Sequence, residues 1–208
     1  MRTSAALALF TLFALALLPS PGAAQVRFDG LDISGGYWGW EGQDFTDVEA
    51  GPRLGVAPLL RIGEFWNVGV EAVYATAEVQ LVAIPIDIKE TGVNGIVRRY
   101  LADPNDVHAY VQARGGWSRL ESDIAEGLEG QVLSYEQSGL ALGAELGVGF
   151  PAGRYIDVLW AGGFGWNSYT QCEVFGQSGV YRYIQFGDDC SAIRWGVRVG
   201  IVLGRSDG

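Results

Sequence analysis

Large apolar side chains alternate with small or positively charged ones along Ala192-Ile193-Arg194-Trp195-Gly196-Val197-Arg198-Val199-Gly200-Ile201-Val202-Leu203-Gly204. Successive side chains of a strand point to opposite faces. One face therefore carries Ile193, Trp195, Val197, Val199, Ile201 and Leu203, and the other carries Ala192, Arg194, Gly196, Arg198, Gly200, Val202 and Gly204. The first face suits lipid, and the second suits a narrow interior that holds a few charges. This segment predicts a strand of a membrane-spanning β-barrel.

Residues 1–24 have the composition of an export signal. Arg2 is their only charge, residues 5–18 form an apolar run, and small residues close the segment. This pattern is too short and wrongly flanked for a retained membrane helix. No later stretch approaches the ~18 consecutive apolar residues of a membrane helix, so a membrane protein of this sequence would span the bilayer as a closed barrel. We expect a signal peptide over 1–24 and one barrel domain over 25–208.

Eight segments carry the period-two pattern, an even number as in bacterial outer-membrane barrels. They are residues 31–40, 52–61, 67–77, 92–101, 107–119, 139–150, 155–168 and 192–204. The facing of 92–101 stays open, because Ile96 and Val97 are adjacent, as are Arg98 and Arg99. The predicted fold class is all-β, an eight-stranded antiparallel up-and-down transmembrane β-barrel.

The connections between these segments alternate in length. Short turns are predicted over 62–66, 102–106 and 151–154, and longer loops over 41–51, 78–91, 120–138 and 169–191. Outer-membrane barrels have short periplasmic turns and long outer loops, so both termini are expected in the periplasm. Aromatic residues near the segment ends predict two interfacial girdles. The outer girdle would hold Trp38, Trp40, Trp117, Trp166, Tyr169 and Trp195, and the inner one Trp66, Tyr100, Phe150 and Tyr155.

A soluble, lipocalin-like barrel is the structural alternative, since any half-buried strand alternates. Its outer surface would be rich in Lys, Glu and Thr. Here the face opposite the large apolar residues is mostly Gly and Ala with isolated charges, and Lys89 is the only lysine of the chain. The 31 glycines are spread along the strands, and we expect those on the inward face to make space. The composition favours the membrane barrel.

The chain resembles the small eight-stranded outer-membrane barrels of the OmpA/OmpX-like group. The resemblance rests on the signal peptide, on residues 92–101 running through a short turn into Ala109-Tyr110-Val111, and on the closing strand 192–204. It implies a monomer in the outer membrane of a Gram-negative-type bacterium, in contact with lipid and a lipopolysaccharide-like glycolipid. It also implies insertion by the barrel assembly machinery. Such barrels usually end on an aromatic residue, whereas this chain ends Leu203-Gly204-Arg205-Ser206-Asp207-Gly208.

Charged residues on inward positions predict a network in the lumen. An eight-stranded barrel has an interior just wide enough for side chains to fill it, so a diffusion pore is not the default. Glu71, Arg114, Glu145 and Arg198 lie near mid-height on four strands. A lone buried charge is costly, whereas paired arginine and carboxylate groups satisfy one another. One interpretation is a structural plug, and the other is a gate whose pairs exchange to admit ions.

The predicted outer loops are acidic. Segments 41–50, 77–92, 120–137 and 169–191 hold fifteen Asp or Glu against Lys89 and Arg182, a net charge of −13. The charge either solvates these loops or serves divalent-cation bridging to anionic glycolipid or a cationic partner. No regular ligand spacing indicates a metal site, and no motif indicates a cofactor or nucleic acid.

Catalysis finds little support in the sequence. Lipid-modifying barrels need a histidine with a serine or carboxylate at the outer face. His108, the only histidine, follows a short turn and faces inward, where Asp157 is a candidate partner. That position is at the wrong end, so no catalytic residue is assigned.

The loop over 169–191 is the most unusual part of the chain. Cys172 and Cys190 are the only cysteines, and export would place them where disulfides persist, so we expect a bond between them. The bond would staple a hairpin formed by the strands before and after the loop. We expect that hairpin to present a contact surface of Phe175, Tyr181, Tyr183 and Phe186. Alternatively, these aromatics pack on neighbouring loops.

These observations predict a non-enzymatic, integral outer-membrane barrel that acts in envelope integrity or surface interaction through its acidic loops. The alternative is a narrow, porin-like channel for ions or small solutes. A lipid-modifying enzyme ranks third.

Overall fold

A computed structural model of the chain describes residues 25–41, 48–81, 84–122, 125–126, 132–176 and 190–204. Eight long strands account for most of these residues. They are β1 (Val26–Glu41), β2 (Gly51–Ile62), β3 (Trp66–Leu81), β4 (Ile84–Tyr100), β5 (His108–Ser122), β6 (Val132–Pro151), β7 (Ile156–Gly176) and β8 (Cys190–Leu203). Two further segments, Val48–Glu49 and Ala125–Glu126, pair with β3 and β6. Among the described residues, no helix has the length and apolarity needed to cross a membrane.

The eight strands form a closed antiparallel barrel. Each strand pairs with its neighbour in the chain, and β8 returns to pair with β1 from Leu31 opposite Leu203 to Glu41 opposite Ile193. Closure removes the sheet edges and lets the strands satisfy their backbone hydrogen bonds among themselves, as lipid requires. The predicted fold class and all eight predicted strands are confirmed.

Several strands run further towards the loops than the alternation predicted. β6 begins at Val132 and β7 continues to Gly176, and the two pair across these extensions with a bulge between Ser138 and Gly139. β8 begins at Cys190, opposite Tyr169. The β7 extension pairs with β6 on one side. The residues before Cys190 that would pair with it on the other side lie outside the described ranges, so the stapled hairpin of β7 and β8 stays a prediction.

The two faces of the barrel are reversed relative to a soluble protein. The outer face exposes large apolar side chains, among them Val197 at 63 %, Trp160 at 58 % and Phe164 at 67 % exposure. The inward positions hold buried charged and polar groups. A continuous exposed apolar surface of this kind is a membrane-facing one. The soluble, lipocalin-like alternative is contradicted by this arrangement.

The structure also settles the facing of β4, which the sequence left open. From Ile88 to Tyr100, side chains with even numbers point inward, including Asn94, Ile96, Arg98 and Tyr100. Arg99 and Val93 point outward.

The predicted aromatic girdles are only partly correct, because some of their residues face the lumen. Trp117 and Trp195 are about half exposed on the outer face, and so are Phe150 and Tyr155 near the short turns. By contrast, four of the predicted girdle residues are buried in the lumen, with exposures of 5 % or less: Trp38, Trp40, Tyr100 and Tyr169. An aromatic ring can pack against lipid or against buried guanidinium groups, so its position near a strand end did not reveal its face.

Candidate functional site

The lumen is the candidate site, and its contents are layered from the short turns to the long loops. The turn-end cluster consists of Asp29, Arg61, Asn67, His108 and Asp157. The lower apolar layer consists of Ala57, Leu59, Ile96, Tyr100, Tyr110, Leu159, Ala161 and Val202. The central network consists of Asp32, Arg53, Glu71, Asn94, Arg98, Gln112, Arg114, Glu145 and Arg198. The apolar cap consists of Trp40, Ala75, Ala77, Ile88, Leu120, Tyr169 and Ala192.

The structure brings the four charged residues predicted from the sequence into the central network. The Arg114 guanidinium contacts Glu145, and its Nη1 lies 3.6 Å from Glu71 Oε2. Arg198 Nε lies 3.0 Å from Glu145 Oε2. Arg114 therefore contacts two carboxylates, and Glu145 contacts two arginines. Such sharing is favourable in a low-dielectric interior because each charge keeps an opposite neighbour.

The sequence interpretation missed further members of this network. Arg53 Nη2 donates to Glu71 Oε2 at 3.0 Å, and Arg98 donates to Asp32. Gln112 links two ion pairs, since its Oε1 accepts from Arg98 Nε at 2.9 Å and its Nε2 donates to Glu145 Oε2 at 3.1 Å. Arg53 alternates in step with the other inward residues of β2, so the period-two pattern could have predicted that it faces the lumen. The facing of Arg98 could not be predicted in this way, because apolar and charged residues do not alternate around it.

A separate ion pair lies on the loop side of the central network. Arg194 donates from Nη1 and Nη2 to the two carboxylate oxygens of Glu90, at 2.7 and 2.6 Å. This bidentate geometry is the one that guanidinium groups favour. Glu90 was counted among the acidic loop residues, and that assignment is wrong because β4 continues past it and turns it inward.

The turn-end cluster is built around Asp29. Arg61 Nε lies 2.7 Å from Asp29 Oδ1, and Asn67 Nδ2 donates to Asp29 Oδ2 at 2.8 Å. The same amide nitrogen lies 3.0 Å from the Tyr100 hydroxyl. These contacts tie β1, β2, β3 and β4 together at the end of the barrel that carries the short turns.

His108 lies in the same cluster and is buried. Its Nδ1 is 2.9 Å from the Asp106 carbonyl oxygen, and its Nε2 is 3.4 Å from Asp157 Oδ2. The Tyr100 ring packs edge-on against the imidazole, with 4.9 Å between ring centroids. The predicted proximity of His108 and Asp157 is thus present, at the turn end of the lumen.

Charge in the described lumen is balanced overall. Six arginines and six carboxylates are buried: Arg53, Arg61, Arg98, Arg114, Arg194 and Arg198, with Asp29, Asp32, Glu71, Glu90, Glu145 and Asp157. Each unpaired ion in such an interior would cost several kcal/mol, so an equal number of opposite charges keeps that cost low. Among the described residues, no three His, Cys, Asp or Glu side chains group as a metal site.

Apolar layers lie on both sides of the ion pairs around Glu71 and Glu145, whereas Arg98 lies between Ile96 and Tyr100, within the lower layer. On β2, β5 and β7, Leu59, Tyr110 and Leu159 lie between the turn-end cluster and mid-strand. On β4, β5 and β8, residues of the apolar cap follow the polar residues towards the loops. An ion crossing the lumen would meet both apolar layers and the ion pairs between them.

The remaining predicted site residues lie where side chains are not described. Cys172, Cys190 and Phe175 lie on strands, at positions where the structure describes the backbone. Tyr181, Tyr183 and Phe186 lie outside the described residues. The disulfide and the loop contact surface therefore stay predictions.

Comparison with known proteins identifies the architecture. No protein-family model matches the chain, and no curated protein matches it. The crystal structure of Neisserial surface protein A (NspA) superimposes with a TM-score of 0.56 at 13 % identity, over 86 % of this chain and 99 % of that one. The outer membrane protein OprG from Pseudomonas aeruginosa gives 0.56 at 15 % identity, over 87 % and 98 %. At these identities the likeness establishes the fold, that of the small eight-stranded outer-membrane barrels.

Proposed function

We propose that this barrel is a non-enzymatic, non-conducting protein of the bacterial outer membrane that acts through its loop end, in envelope integrity or surface contacts. The observation that carries the proposal is the layered lumen, in which the ion pairs around Glu71 and Glu145 lie between two apolar layers. A barrel filled in this way offers its surface, rather than its interior, for function.

The contents of the lumen argue against permeation. A hydrated ion would have to displace cap side chains such as Trp40 and Tyr169, and then separate Arg114 and Arg198 from Glu145. Each separation leaves a buried charge without its partner, at a cost of several kcal/mol. The small diameter of an eight-stranded barrel leaves no second path.

The lengths of the connections support the proposed orientation. The turns at one end comprise three, seven and four residues, 63–65, 101–107 and 152–155. At the opposite end, three of the four connections are longer, between Glu41 and Gly51, Ser122 and Val132, and Gly176 and Cys190. The fourth, for which a loop over 78–91 was predicted, is instead a hairpin: β3 and β4 extend and pair up to Leu81 opposite Ile84. Because outer-membrane barrels place short turns in the periplasm, we assign both termini to the periplasm and the loop end to the cell surface. Insertion by the barrel assembly machinery as a monomer belongs to the same proposal.

The acidity of the loop end supports a partner class. With Glu90 turned inward, the sequence still places fourteen acidic residues against Lys89 and Arg182 in the loop segments. Divalent cations would bridge these carboxylates to a lipopolysaccharide-like glycolipid, or a cationic partner would bind them directly. Either contact leaves the lumen closed.

A narrow channel is the second candidate, and one observation favours it. Arg114 contacts both Glu71 and Glu145, so a change of partner would keep the guanidinium paired while the network rearranges. A lipid-modifying enzyme is less well supported, since His108 lies at the turn end.

Single-channel recording in planar bilayers tests the closed lumen. We expect the wild-type protein to give no stable conductance steps, because the ion pairs and apolar layers exclude ions. Glu145→Ala leaves two arginines without this partner and is expected to raise conductance or destabilise the barrel. The matched control is Glu121→Ala, which removes an exposed carboxylate paired with Arg119 and should leave the barrel closed. Stable conductance steps in the wild type would refute the proposal and establish the channel.

A further inference from the structure

A small cavity lies in the lumen between the central network and the apolar cap. Its volume is about 20 Å³, enough for a single water-sized occupant by the usual measure of ≳ 10–15 Å³. It is too small for phosphate or an organic acid. The polar side chains that line it come from five strands and are Arg53, Glu90, Asn94, Arg114, Ser118, Asn167 and Arg194, together with the indole of Trp38.

The charges around this cavity do not balance. The central network and the pair above it contain five arginines and four carboxylates: Arg53, Arg98, Arg114, Arg194 and Arg198, with Asp32, Glu71, Glu90 and Glu145. The compensating excess of carboxylate lies in the turn-end cluster, beyond the lower apolar layer. The central network and the Glu90–Arg194 pair together therefore carry one positive charge more than their carboxylates neutralise.

The positive charge converges on Trp38. The guanidinium carbons of Arg53, Arg114 and Arg194 lie 5.1, 5.4 and 5.6 Å from the centroid of its ring. Only Glu90 among the residues lining the cavity is a carboxylate. Each of these arginines contacts a carboxylate, Glu71, Glu145 or Glu90. The three like charges around one ring still repel one another, and with one carboxylate too few in the two groups that repulsion is not fully offset.

Hydrogen-bond donors around the cavity lack acceptors. Trp38 Nε1, Arg114 Nε and Arg194 Nε are fully buried and have no hydrogen-bond acceptor. Trp38 itself is 4 % exposed. Buried donors are almost always satisfied in native proteins. Asn94 Oδ1 and Asn167 Oδ1 also line the cavity without a donor, so a water molecule would suit the site sterically, but it would not compensate the charge.

We propose that this cavity binds one small monovalent anion of the size of chloride. The anion would accept from the unsatisfied N–H donors and neutralise the excess charge of the upper network. The site discriminates by size, because the cavity admits a monatomic ion and excludes phosphate. It does not depend on whether the lumen conducts, since the ion is a bound component of the folded barrel.

Anomalous diffraction with bromide tests the site directly. The full chain would be refolded in sodium bromide, so that the ion need not cross the apolar cap, and then crystallised from the same salt. We expect an anomalous peak in the cavity beside Trp38, in contact with the guanidinium groups of Arg114 and Arg194. An ordered water only, with no anomalous peak, would overturn the proposal.

Stability provides a second readout that does not need crystals. Unfolding would be followed in sodium chloride and in sodium gluconate of equal ionic strength, because gluconate is too large for the cavity. At chloride concentrations of 100 times the dissociation constant, the folded-to-unfolded ratio should rise about 100-fold. Arg53→Gln leaves four arginines against four carboxylates and should abolish that rise. Equal stability of the wild type in the two salts would contradict the proposal.

A control variant separates this effect from a general response to charge. Arg99 is exposed on the outer face, with its guanidinium carbon 5.3 Å from the centroid of the Trp66 ring. Arg99→Gln removes the same formal charge as Arg53→Gln and should keep the chloride dependence. If Arg99→Gln also removed it, the dependence would come from surface charge, and the cavity assignment would be wrong.

Discussion

Single inward glycines allow the charged side chains to share the narrow lumen. A Cβ added at Gly163 would lie 2.6 Å from Glu145 Cγ and 2.6 Å from the Ala144 carbonyl oxygen. Real Cβ atoms essentially never approach so closely. The neighbouring Gly162 faces outward, and an added Cβ there would meet its nearest atom, the Gly196 carbonyl oxygen, at 3.8 Å. Of these two adjacent glycines, packing requires only Gly163 to lack a side chain.

We expect Gly163→Ala to destabilise the barrel by about 1–3 kcal/mol, the usual cost of overpacking an interior. The matched variant Gly162→Ala adds the same methyl group to the outer face, where there is room for it, and should change stability by less than about 1 kcal/mol. Urea unfolding of both variants in lipid vesicles measures the difference. Equal midpoints would show that the inward glycines are not required for packing.

At this scale, the sequence predicted that Glu71, Arg114, Glu145 and Arg198 meet in the lumen, but it did not predict the further members Arg53, Arg98 and Asp32. Glu145 and Arg114 belong to strands with clean alternation, which fixed their facing. Trp38 was assigned to the wrong environment because an indole suits lipid interfaces and buried cations alike. Arg98 lies in a stretch of adjacent apolar and adjacent charged pairs, and only strand pairing could decide its face.

At the scale of the strands, the alternation in the sequence predicted their number and order, but it did not predict where they end on the loop side. The alternation reflects the contrast between lipid and lumen, and it fades where a strand leaves that environment. β6 accordingly begins at Val132, seven residues before the predicted 139, and β4 begins at Ile84, eight residues before the predicted 92. The same fading explains why Glu90 was counted as a loop residue.

The lipid-facing side of β8 provides a test of strand orientation. Val199 is outward and 44 % exposed, so Val199→Arg should cost roughly 2–4 kcal/mol or block insertion if it lies near the bilayer midplane. The matched control is Val107→Arg, because Val107 is 65 % exposed in a connection between strands and should tolerate a charge. Folding yield into lipid vesicles compares the two variants. A similar yield for both would argue against a lipid-facing Val199.

For the molecule as a whole, the two faces of the barrel determine what environment it needs. The described inner face holds six arginines and six carboxylates, while the outer face exposes apolar side chains such as Val197 and Trp160. Transfer of the barrel to water would expose its apolar outer face to solvent, and it would add no partner to the charges in the lumen. Both the closed fold and the membrane location follow from this arrangement.

The most direct test of a closed membrane barrel is heat-modifiable gel mobility combined with circular dichroism of the purified protein in detergent. The account predicts a β-rich spectrum and a difference in mobility between unheated and boiled samples, because the closed barrel resists unfolding until heated. A helical spectrum, or a folded protein that stays soluble without detergent, would contradict it.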